Sequence, residues 1–266
     1  MDKHLPFSGL WAVILGGSSG FGFAAVEKLA AHGMNIAVLY REPSAMAKKT
    51  VATLVEVAAK NGVEVLPFNL NVLDAASRQS FMTDFVADKK GKVKLLMHSV
   101  ARGNLKPLVS TQKNEALLTT EDIQLTSYAM SNSLLDWTRD LLDAGLFHAD
   151  ARIIGLTSEG ADKHWDAYAA VAIAKASLQS LVTYMAVEFA PFGIKTNLIQ
   201  AGITNTAALQ RIPGSEKLVE IAQTRNPLQR MTEPRDVAGV IYLLCTDEAA
   251  WINGSLIHVD GGEHCR

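Results

Sequence analysis

A tyrosine and a lysine in the second half of the chain have the residue types and the spacing for proton and charge chemistry. They stand in Tyr168-Ala-Ala-Val-Ala-Ile-Ala-Lys175, seven positions apart. In a helix this step is nearly two turns, so both side chains would share a face, roughly 10 Å apart along the axis. A four-residue step would give roughly 6 Å. The wider spacing places the phenol nearer an oxygen remote from the carbon that accepts hydride. It therefore favours reduction of a C=C bond conjugated to a thioester over reduction of a C=O bond.

A glycine-rich turn near the amino terminus has the pattern of a dinucleotide site. Gly16-Gly17-Ser18-Ser19-Gly20-Phe21-Gly22 follows a short apolar run and opens a helical pattern. Gly16 permits the tight turn, Gly20 lets the backbone approach a pyrophosphate, and Gly22 allows close packing of helix on strand. The helix N-terminus offers N–H groups to the phosphates. The predicted cofactor contacts in this turn are Gly16, Ser18, Ser19, Gly20, Phe21 and Gly22. The alternative is a glycine-rich turn without a ligand.

The end of the second predicted strand bears on the choice of dinucleotide. An acidic residue there would bind the ribose hydroxyls, but the first charged residue is Arg41. The sequence therefore favours NADP(H) over NAD(H), although Glu42 follows directly and NAD(H) remains an alternative. The alternative interpretation is that Arg41 is a solvated surface residue that binds no cofactor. Asn71 and Val72, after the third strand, are predicted to contact adenine.

Further pocket residues are predicted at the ends of later strands. His98-Ser99-Val100-Ala101 ends the fourth strand beside the expected nicotinamide, where His98 shapes the pocket. Ser158 ends the fifth strand and is a candidate substrate contact. Trp165, Tyr184 and the methionines are interpreted as packing, and no His, Cys and carboxylate spacing indicates a metal site.

Composition narrows the class of protein. The chain has 266 residues, 48% of them hydrophobic, a net charge of −2 and a pI near 6.4. We expect one domain over 1–266, no nucleic-acid partner, no membrane span and a cytoplasmic location. Cys245 and Cys265 do not indicate a disulfide framework.

Short apolar runs alternate with helical patterns along the whole chain. Strands are predicted at 11–15, 35–40, 63–68, 93–98, 152–157, 195–200 and 255–259. Helices are predicted at 22–32, 44–61, 74–88, 122–144, 165–190 and 233–246. This order predicts an α/β fold with a doubly wound parallel sheet, about seven strands and helices on both faces. The long connections 102–121 and 202–233 follow strands, at the edge where such sheets bind ligands.

From about residue 7 to residue 262 the sequence resembles the short-chain dehydrogenase/reductase family, in its divergent branch of enoyl-acyl-carrier-protein reductases. Three features are typical of that branch: His98-Ser99 in place of paired asparagines, Tyr168-x6-Lys175 in place of Tyr-x3-Lys, and Ala201-Gly202 in place of Pro-Gly. Val171 occupies the ordinary tyrosine position, and Ser127 the position of a catalytic asparagine. Asp260-Gly261-Gly262 also fits the family. Leu15 and Ser158 depart from the pattern, since a threonine and, in many enoyl reductases, a second tyrosine stand there.

The resemblance implies a Rossmann fold and NAD(P)H-dependent reduction of trans-2-enoyl thioesters of acyl carrier protein or coenzyme A in fatty-acid biosynthesis. It implies that Tyr168 donates to the thioester oxygen, and that Lys175 binds the nicotinamide ribose and lowers the phenol's pKa. The cofactor contacts it implies are Ser99, Val100, Ala101, Lys175, Gly202, Ile203, Thr204 and Thr206. The substrate contacts are Ser158, Tyr168, Ala207 and Ala208.

The segment 203–225 is predicted to be a mobile lid over the acyl chain. Its apolar face would comprise Ala207, Ala208, Leu209, Ile212, Leu218 and Ile221, and Arg211, Lys217 and Arg225 could meet an acidic carrier protein. Resemblance also suggests a homotetramer that uses 165–190 and the C-terminal helix. Two alternatives stay open: a ketoreductase or other alcohol dehydrogenase of the same fold, and a nucleotide-binding protein without catalysis.

Overall fold

The parallel sheet predicted from the sequence is confirmed by the computed structural model, which describes residues 5–86 and 89–266. Its seven strands have the order β3-β2-β1-β4-β5-β6-β7, and every neighbouring pair is parallel. The strands are β1 Trp11–Leu15, β2 Asn35–Tyr40, β3 Val65–Asn69, β4 Val93–His98, β5 Phe147–Thr157, β6 Ile194–Ala201 and β7 Leu256–Val259. The helices are α1 Gly20–Ala30, α2 Ser44–Asn61, α3 Ala75–Phe85, α4 Thr120–Ser127, α5 Ser133–Asp143, α6 Ala169–Glu188, α7 Ser215–Arg225 and α8 Pro234–Cys245.

The strands read as continuous apolar runs because both faces of the sheet are covered. In β1, Ala12 and Ile14 pack into one core with α1 and α8, while Trp11, Val13 and Leu15 pack into the other with α5 and α6. All five are almost fully buried. Burial of a side chain such as Ile14 contributes roughly 1.5–3 kcal/mol, so alternation of polar and apolar residues would destabilise this strand.

The helix predicted at 122–144 consists of three pieces. α4 begins earlier, because Thr119 accepts a hydrogen bond from the Asp122 amide and the Asp122 carboxylate accepts one from the Thr119 amide. A π-helical turn at Tyr128–Asn132 then separates α4 from α5. π-Helical turns are frequent at functional sites, and this one faces the carboxyl edge of the sheet.

The helix predicted at 165–190 begins at Ala169, so the placement of Tyr168 inside it is wrong. Tyr168 is the N-cap residue, with φ −99° and ψ 1°. Ala167 before it has a φ of +57°, a left-handed conformation that a non-glycine residue adopts at a cost of about 1 kcal/mol or more. Lys175 lies in α6 and Tyr168 does not, so the two side chains are not placed by one helical face. The turn that precedes α6 sets the orientation of Tyr168.

Other boundaries differ by a few residues. β5 begins at Phe147, well before the predicted position 152, and pairs along β6 from Ala151 to Thr157. α3 begins after Asp74, whose carboxylate accepts from the Ser77 amide. The predicted end of that helix, position 88, lies outside the described residues.

Among the described residues, α6 is the one helix long and apolar enough to cross a membrane by length and composition. Leu178, Val182 and Met185 on this helix are buried in the core beneath the sheet. A core helix passes the same test, so this is weak evidence for a span.

Candidate active site

A third apolar cluster lies at the carboxyl edge of the sheet, apart from the two cores. It brings together the π-helical turn, the start of α6 and the segment 203–225. Its buried members are Ala129, Met130, Tyr168, Val171, Ala174, Ile203, Leu209, Ile212 and Ala222. The segment predicted to bind substrate is thus packed against the predicted catalytic tyrosine. The side chains of Leu218 and Ile221, assigned to its apolar face, lie outside the described residues.

The glycine turn forms one wall of a cleft that fits a dinucleotide. A Cβ atom on Gly16 would collide with the Ser99 carbonyl, and one on Gly22 with the Gly16 carbonyl. Gly20 has a φ of +54°, and a Cβ there would lie 3.8 Å from the Thr206 methyl group across the cleft. The turn therefore excludes side chains where phosphates would approach α1. The predicted cofactor residues that line this cofactor cleft are Gly16, Ser19, Gly20, Phe21, Ser99, Val100, Ala101, Lys175 and Thr206. Gly22 lies behind it as a packing residue.

The cleft continues to the end of β2, where Ser18, Arg41, Asn71 and Val72 line an adjoining cavity as predicted. Glu42 does not line this cavity. Its carboxylate accepts a hydrogen bond of 2.7 Å from the Thr50 hydroxyl, and Asn69 holds its backbone. The cation and the anion at the end of β2 are therefore separated, with the cation at the cavity.

The substrate pocket opens beside the cofactor cleft, and Tyr168 lines both. The Tyr168 hydroxyl lies 3.3 Å from the Ser158 hydroxyl, which also accepts from the Gly160 amide. Gly160 is required for this arrangement, because a Cβ atom there would come within 2.6 Å of the Tyr168 ring. Trp165 packs on the same ring, with centroids 5.0 Å apart.

Other predicted residues divide between the two cavities. Gly202, Ile203 and Thr204, predicted to contact the cofactor, line the substrate pocket and not the cofactor cleft. Ala208 lines both, whereas Ala207, predicted to contact substrate, lines the cofactor cleft.

Burial shifts the pKa of both predicted catalytic groups. Lys175 is buried at the edge of the cleft, and its ammonium donates to the Leu156 carbonyl at 2.7 Å. Burial lowers its pKa to about 8. Burial raises the pKa of the Tyr168 phenol, and the hydrogen bond with Ser158 opposes that rise. Burial is the larger of the two effects, so the net direction is a raised pKa, and the expectation that Lys175 lowers the phenol's pKa stays a prediction.

His98 supports the site from behind. Its Nε2 lies 2.9 Å from the Ser133 hydroxyl, and no described group bonds its Nδ1. Burial, with the nearby charge of Lys175, lowers its pKa to about 3, so the imidazole is neutral. It lines neither cavity, and its role in shaping the pocket stays a prediction.

Several pocket residues were missed from the sequence. Trp165 and Met130 were interpreted as packing, but both line the substrate pocket, with Leu105. Met130 was hidden because nothing in the helical periodicity marks the π-helical turn. Glu159 and Glu263 also line the pocket, and Glu263 is 2% exposed. No group of metal-ligating side chains occurs in the part of the chain that the structure describes.

Comparison with known proteins identifies the family of the chain. A family model described as "Enoyl-(Acyl carrier protein) reductase" matches residues 16–264. A tropinone reductase homolog of Arabidopsis thaliana is 28% identical over 263 residues, which cover 98% of this chain and 96% of that protein. The 1-cyclohexenylcarbonyl-CoA reductase of Streptomyces collinus is 28% identical over 94% of this chain and 85% of its own length.

Solved structures show the same architecture. The crystal structure of the NADH enoyl-[acyl-carrier-protein] reductase of Aquifex aeolicus matches with a TM-score of 0.83 and 26% identity, over 98% of both chains. The fold is that of an oxidoreductase with a nicotinamide dinucleotide cleft. By sequence and by structure, the chain belongs to the short-chain dehydrogenase/reductase family, in the group described as enoyl-(acyl carrier protein) reductases.

Proposed function

We propose that the protein reduces the C=C bond of trans-2-enoyl thioesters with NADPH. The observation that carries this proposal is the position of Tyr168, whose side chain lines both the cofactor cleft and the apolar pocket. Val171, where ordinary family members have their tyrosine, is a buried aliphatic residue in the pocket wall. The pocket thus lacks a phenol at the position used for carbonyl reduction and has one a few residues earlier.

The cofactor, when bound, supplies a hydride to the β-carbon of the enoyl group, and a proton taken up at the α-carbon from Tyr168 or from solvent completes the reduction. Tyr168 donates a hydrogen bond to the thioester oxygen, where negative charge develops, and so stabilises the transition state. Its raised pKa keeps the phenol protonated and able to donate. Lys175 has three N–H donors, of which Leu156 accepts one, so two remain for the nicotinamide ribose hydroxyls. The apolar wall of the pocket excludes water from the developing enolate.

The preference for NADPH is supported by Arg41 at the adenosine end of the cleft. A guanidinium there can make charge-assisted hydrogen bonds to a 2′-phosphate, and Glu42 is held away by Thr50. The Aquifex aeolicus protein is an NADH enzyme, so the ratio of kcat/KM for NADPH and NADH tests the preference of this chain.

The test is consumption of NADPH by the purified protein with two thioesters of equal chain length. The proposal expects oxidation with a trans-2-enoyl thioester and none with a 3-oxoacyl thioester. Activity on the 3-oxoacyl thioester alone overturns it.

A ketoreductase is the second candidate, favoured by the full-length similarity to the tropinone reductase homolog. On this alternative the C=O substrate would have to accept its proton from Tyr168. The two-thioester assay decides between the candidates, because each predicts activity on a different compound.

The substrate's carrier is proposed to be acyl carrier protein or coenzyme A, and the protein is proposed to be a homo-oligomer, a tetramer by resemblance. Exposed apolar side chains on α6 support the second point: Tyr184 is 65% and Val187 72% exposed, one turn apart. Sedimentation velocity should find a tetramer, and Val187→Glu should shift it to smaller species. A monomeric wild-type protein contradicts this.

A further inference from the structure

The segment 203–225 is attached at both ends to one side chain near the C-terminus. Glu263 Oε1 accepts a hydrogen bond of 3.2 Å from the Ile203 amide, at the start of the segment. The same oxygen lies 3.6 Å from Nη2 of Arg225, at the end of the segment and of α7. Glu263 therefore closes the segment into a loop whose ends meet at a buried carboxylate.

The neighbouring tail residue reinforces this closure. The Asp260 carbonyl accepts from the Asn226 side chain at 2.8 Å, directly after the segment. Gly202, directly before it, packs against Asp260 so closely that a Cβ atom on Gly202 would lie 3.0 Å from the Asp260 Cβ. A segment whose two ends are fixed can adopt fewer conformations than one that is free at an end. This anchoring therefore lowers the conformational entropy of the segment.

The pair Glu263 and Arg225, called the clasp from here on, is also connected to Tyr168, the proposed catalytic tyrosine. Arg225 Nη2 lies 2.6 Å from Glu159 Oε2. Glu159 follows Ser158, whose hydroxyl lies next to that of Tyr168. Arg225, assigned from the sequence to a surface for an acidic carrier protein, is therefore turned inward, and that assignment is wrong. Lys163 binds the other oxygen of Glu159 from an exposed position.

The clasp is incomplete in this state. Arg225 Nε and Glu263 Oε2 are both buried, and neither has a hydrogen-bond partner among the described residues. They are a donor and an acceptor on the two partners of one ion pair. A carboxylate and a guanidinium can form two parallel hydrogen bonds, so a small movement of α7 towards Glu263 would satisfy both atoms. Buried polar atoms without partners are destabilising, which favours that movement.

We propose that Glu263 and Arg225 are positioning residues, which clasp both ends of the segment 203–225 and set its apolar wall against the acyl chain of the substrate. This rests on the proposed function for the identity of the acyl chain, but not for the clasp itself. Leu209 and Ile212, within the clasped segment, form that wall together with Met130.

Hydrogen exchange of the full-length protein tests the clasp without any substrate. In Arg225→Met and Glu263→Ala, amides in 203–213 should exchange about tenfold faster, while those in α2 should be unchanged. Lys163→Met is the matched control, because it removes the other cation from Glu159 without touching the segment, and it should behave as wild type. Unchanged exchange in both clasp variants, or equal acceleration in the control, overturns the proposal.

Kinetics then separate positioning from general damage. With a twelve-carbon 2-enoyl-CoA, Glu263→Gln should raise KM about tenfold and leave kcat and the KM for NADPH within about twofold. With four-carbon crotonyl-CoA, whose acyl chain has a single methyl group beyond the double bond to pack on an apolar wall, KM should not change. Arg225→Lys keeps the charge but not the planar fork, so it should fall between wild type and Arg225→Met.

The two proposals can fail separately. If the wild-type protein reduces no enoyl thioester, the proposed function fails, and the exchange result still decides the clasp. If a clasp variant is unfolded by circular dichroism, Glu263→Gln, which keeps the shape of the side chain, takes its place in the exchange experiment. A KM increase of the same size for both chain lengths contradicts the positioning role.

Discussion

The hydroxyl of Ser158 lies 3.3 Å from the hydroxyl of Tyr168, at the place where many enoyl reductases have a second tyrosine. Ser158 is the last residue before a short turn, and its oxygen is fixed by the Gly160 amide. The hydrogen bond orients the phenol in the pocket and opposes the effect of burial on its pKa. A serine thus positions the Tyr168 phenol here, and in the proposed mechanism this one phenol carries the chemistry.

Tyr168→Phe should lower kcat about a hundredfold, because it removes a hydrogen bond made chiefly in the transition state, worth on the order of 3 kcal/mol. NADPH affinity should stay nearly unchanged. The measurement is steady-state reduction of an enoyl thioester together with NADPH binding by fluorescence. Tyr184→Phe, which removes the hydroxyl of an exposed tyrosine on α6, is the control. Wild-type turnover in Tyr168→Phe would mean that another group donates the hydrogen bond.

Arg41→Ala should weaken the use of NADPH selectively, because NADH has no 2′-phosphate for the guanidinium to contact. The quantity to follow is the ratio of kcat/KM for the two cofactors, which should fall at least about tenfold. Lys60→Ala, at the far end of α2, removes one exposed positive charge and should leave the ratio unchanged. An unchanged ratio in Arg41→Ala would make Arg41 a surface charge and favour NADH.

Lys175 should leave a signature in the pH dependence of stability. Its pKa falls from 10.5 in the unfolded chain to about 8 in the fold, so between these values the unfolded state binds more protons. Stability therefore rises with pH in this window, relative to a variant without the lysine. The free energy of unfolding of wild type minus that of Lys175→Met should increase by about 2 kcal/mol between about pH 7 and about pH 9.5.

Urea denaturation of the cofactor-free protein at both pH values measures this difference. Lys60→Met is the control and should not follow the trend. A flat difference between wild type and Lys175→Met would show that the folded lysine titrates as it does in water. Lys175→Met should also lose NADPH affinity, since it removes the donors to the ribose.

The sheet could be predicted from the sequence because burial on both faces leaves apolar runs such as Trp11–Leu15, and the glycine turn follows the first of them. The orientation of the site side chains could not be predicted where it depends on the local backbone conformation. Ala167 gives no sign of its left-handed conformation, so Tyr168 was placed inside α6. Arg225 and Glu263 form an ion pair although they are distant in the sequence, and a single sequence does not predict such pairs.

Ligand binding should slow hydrogen exchange in the middle of the segment 203–225 and leave exchange at its two ends unchanged. The Thr206 hydroxyl accepts a hydrogen bond of 3.2 Å from the Leu209 amide, at the start of the short turn Leu209–Arg211. This turn carries part of the apolar wall, and no hydrogen bond among the described residues joins it to the C-terminal tail. Hydrogen exchange should therefore slow for 206–212 when NADPH and a saturated acyl-CoA are added together. The amide of Ile203, already bonded to Glu263, should change little.

The comparison needs the protein alone, with NADPH, and with both ligands, because cofactor binding by itself can order Thr206 at the cleft. The helix α2, whose residues line neither the substrate pocket nor the cofactor cleft, is the internal reference. Lid closure predicts that most of the added protection appears only with the acyl-CoA present. Equal protection of 206–212 in all three states would mean that the pocket is preformed and that the segment is a fixed wall.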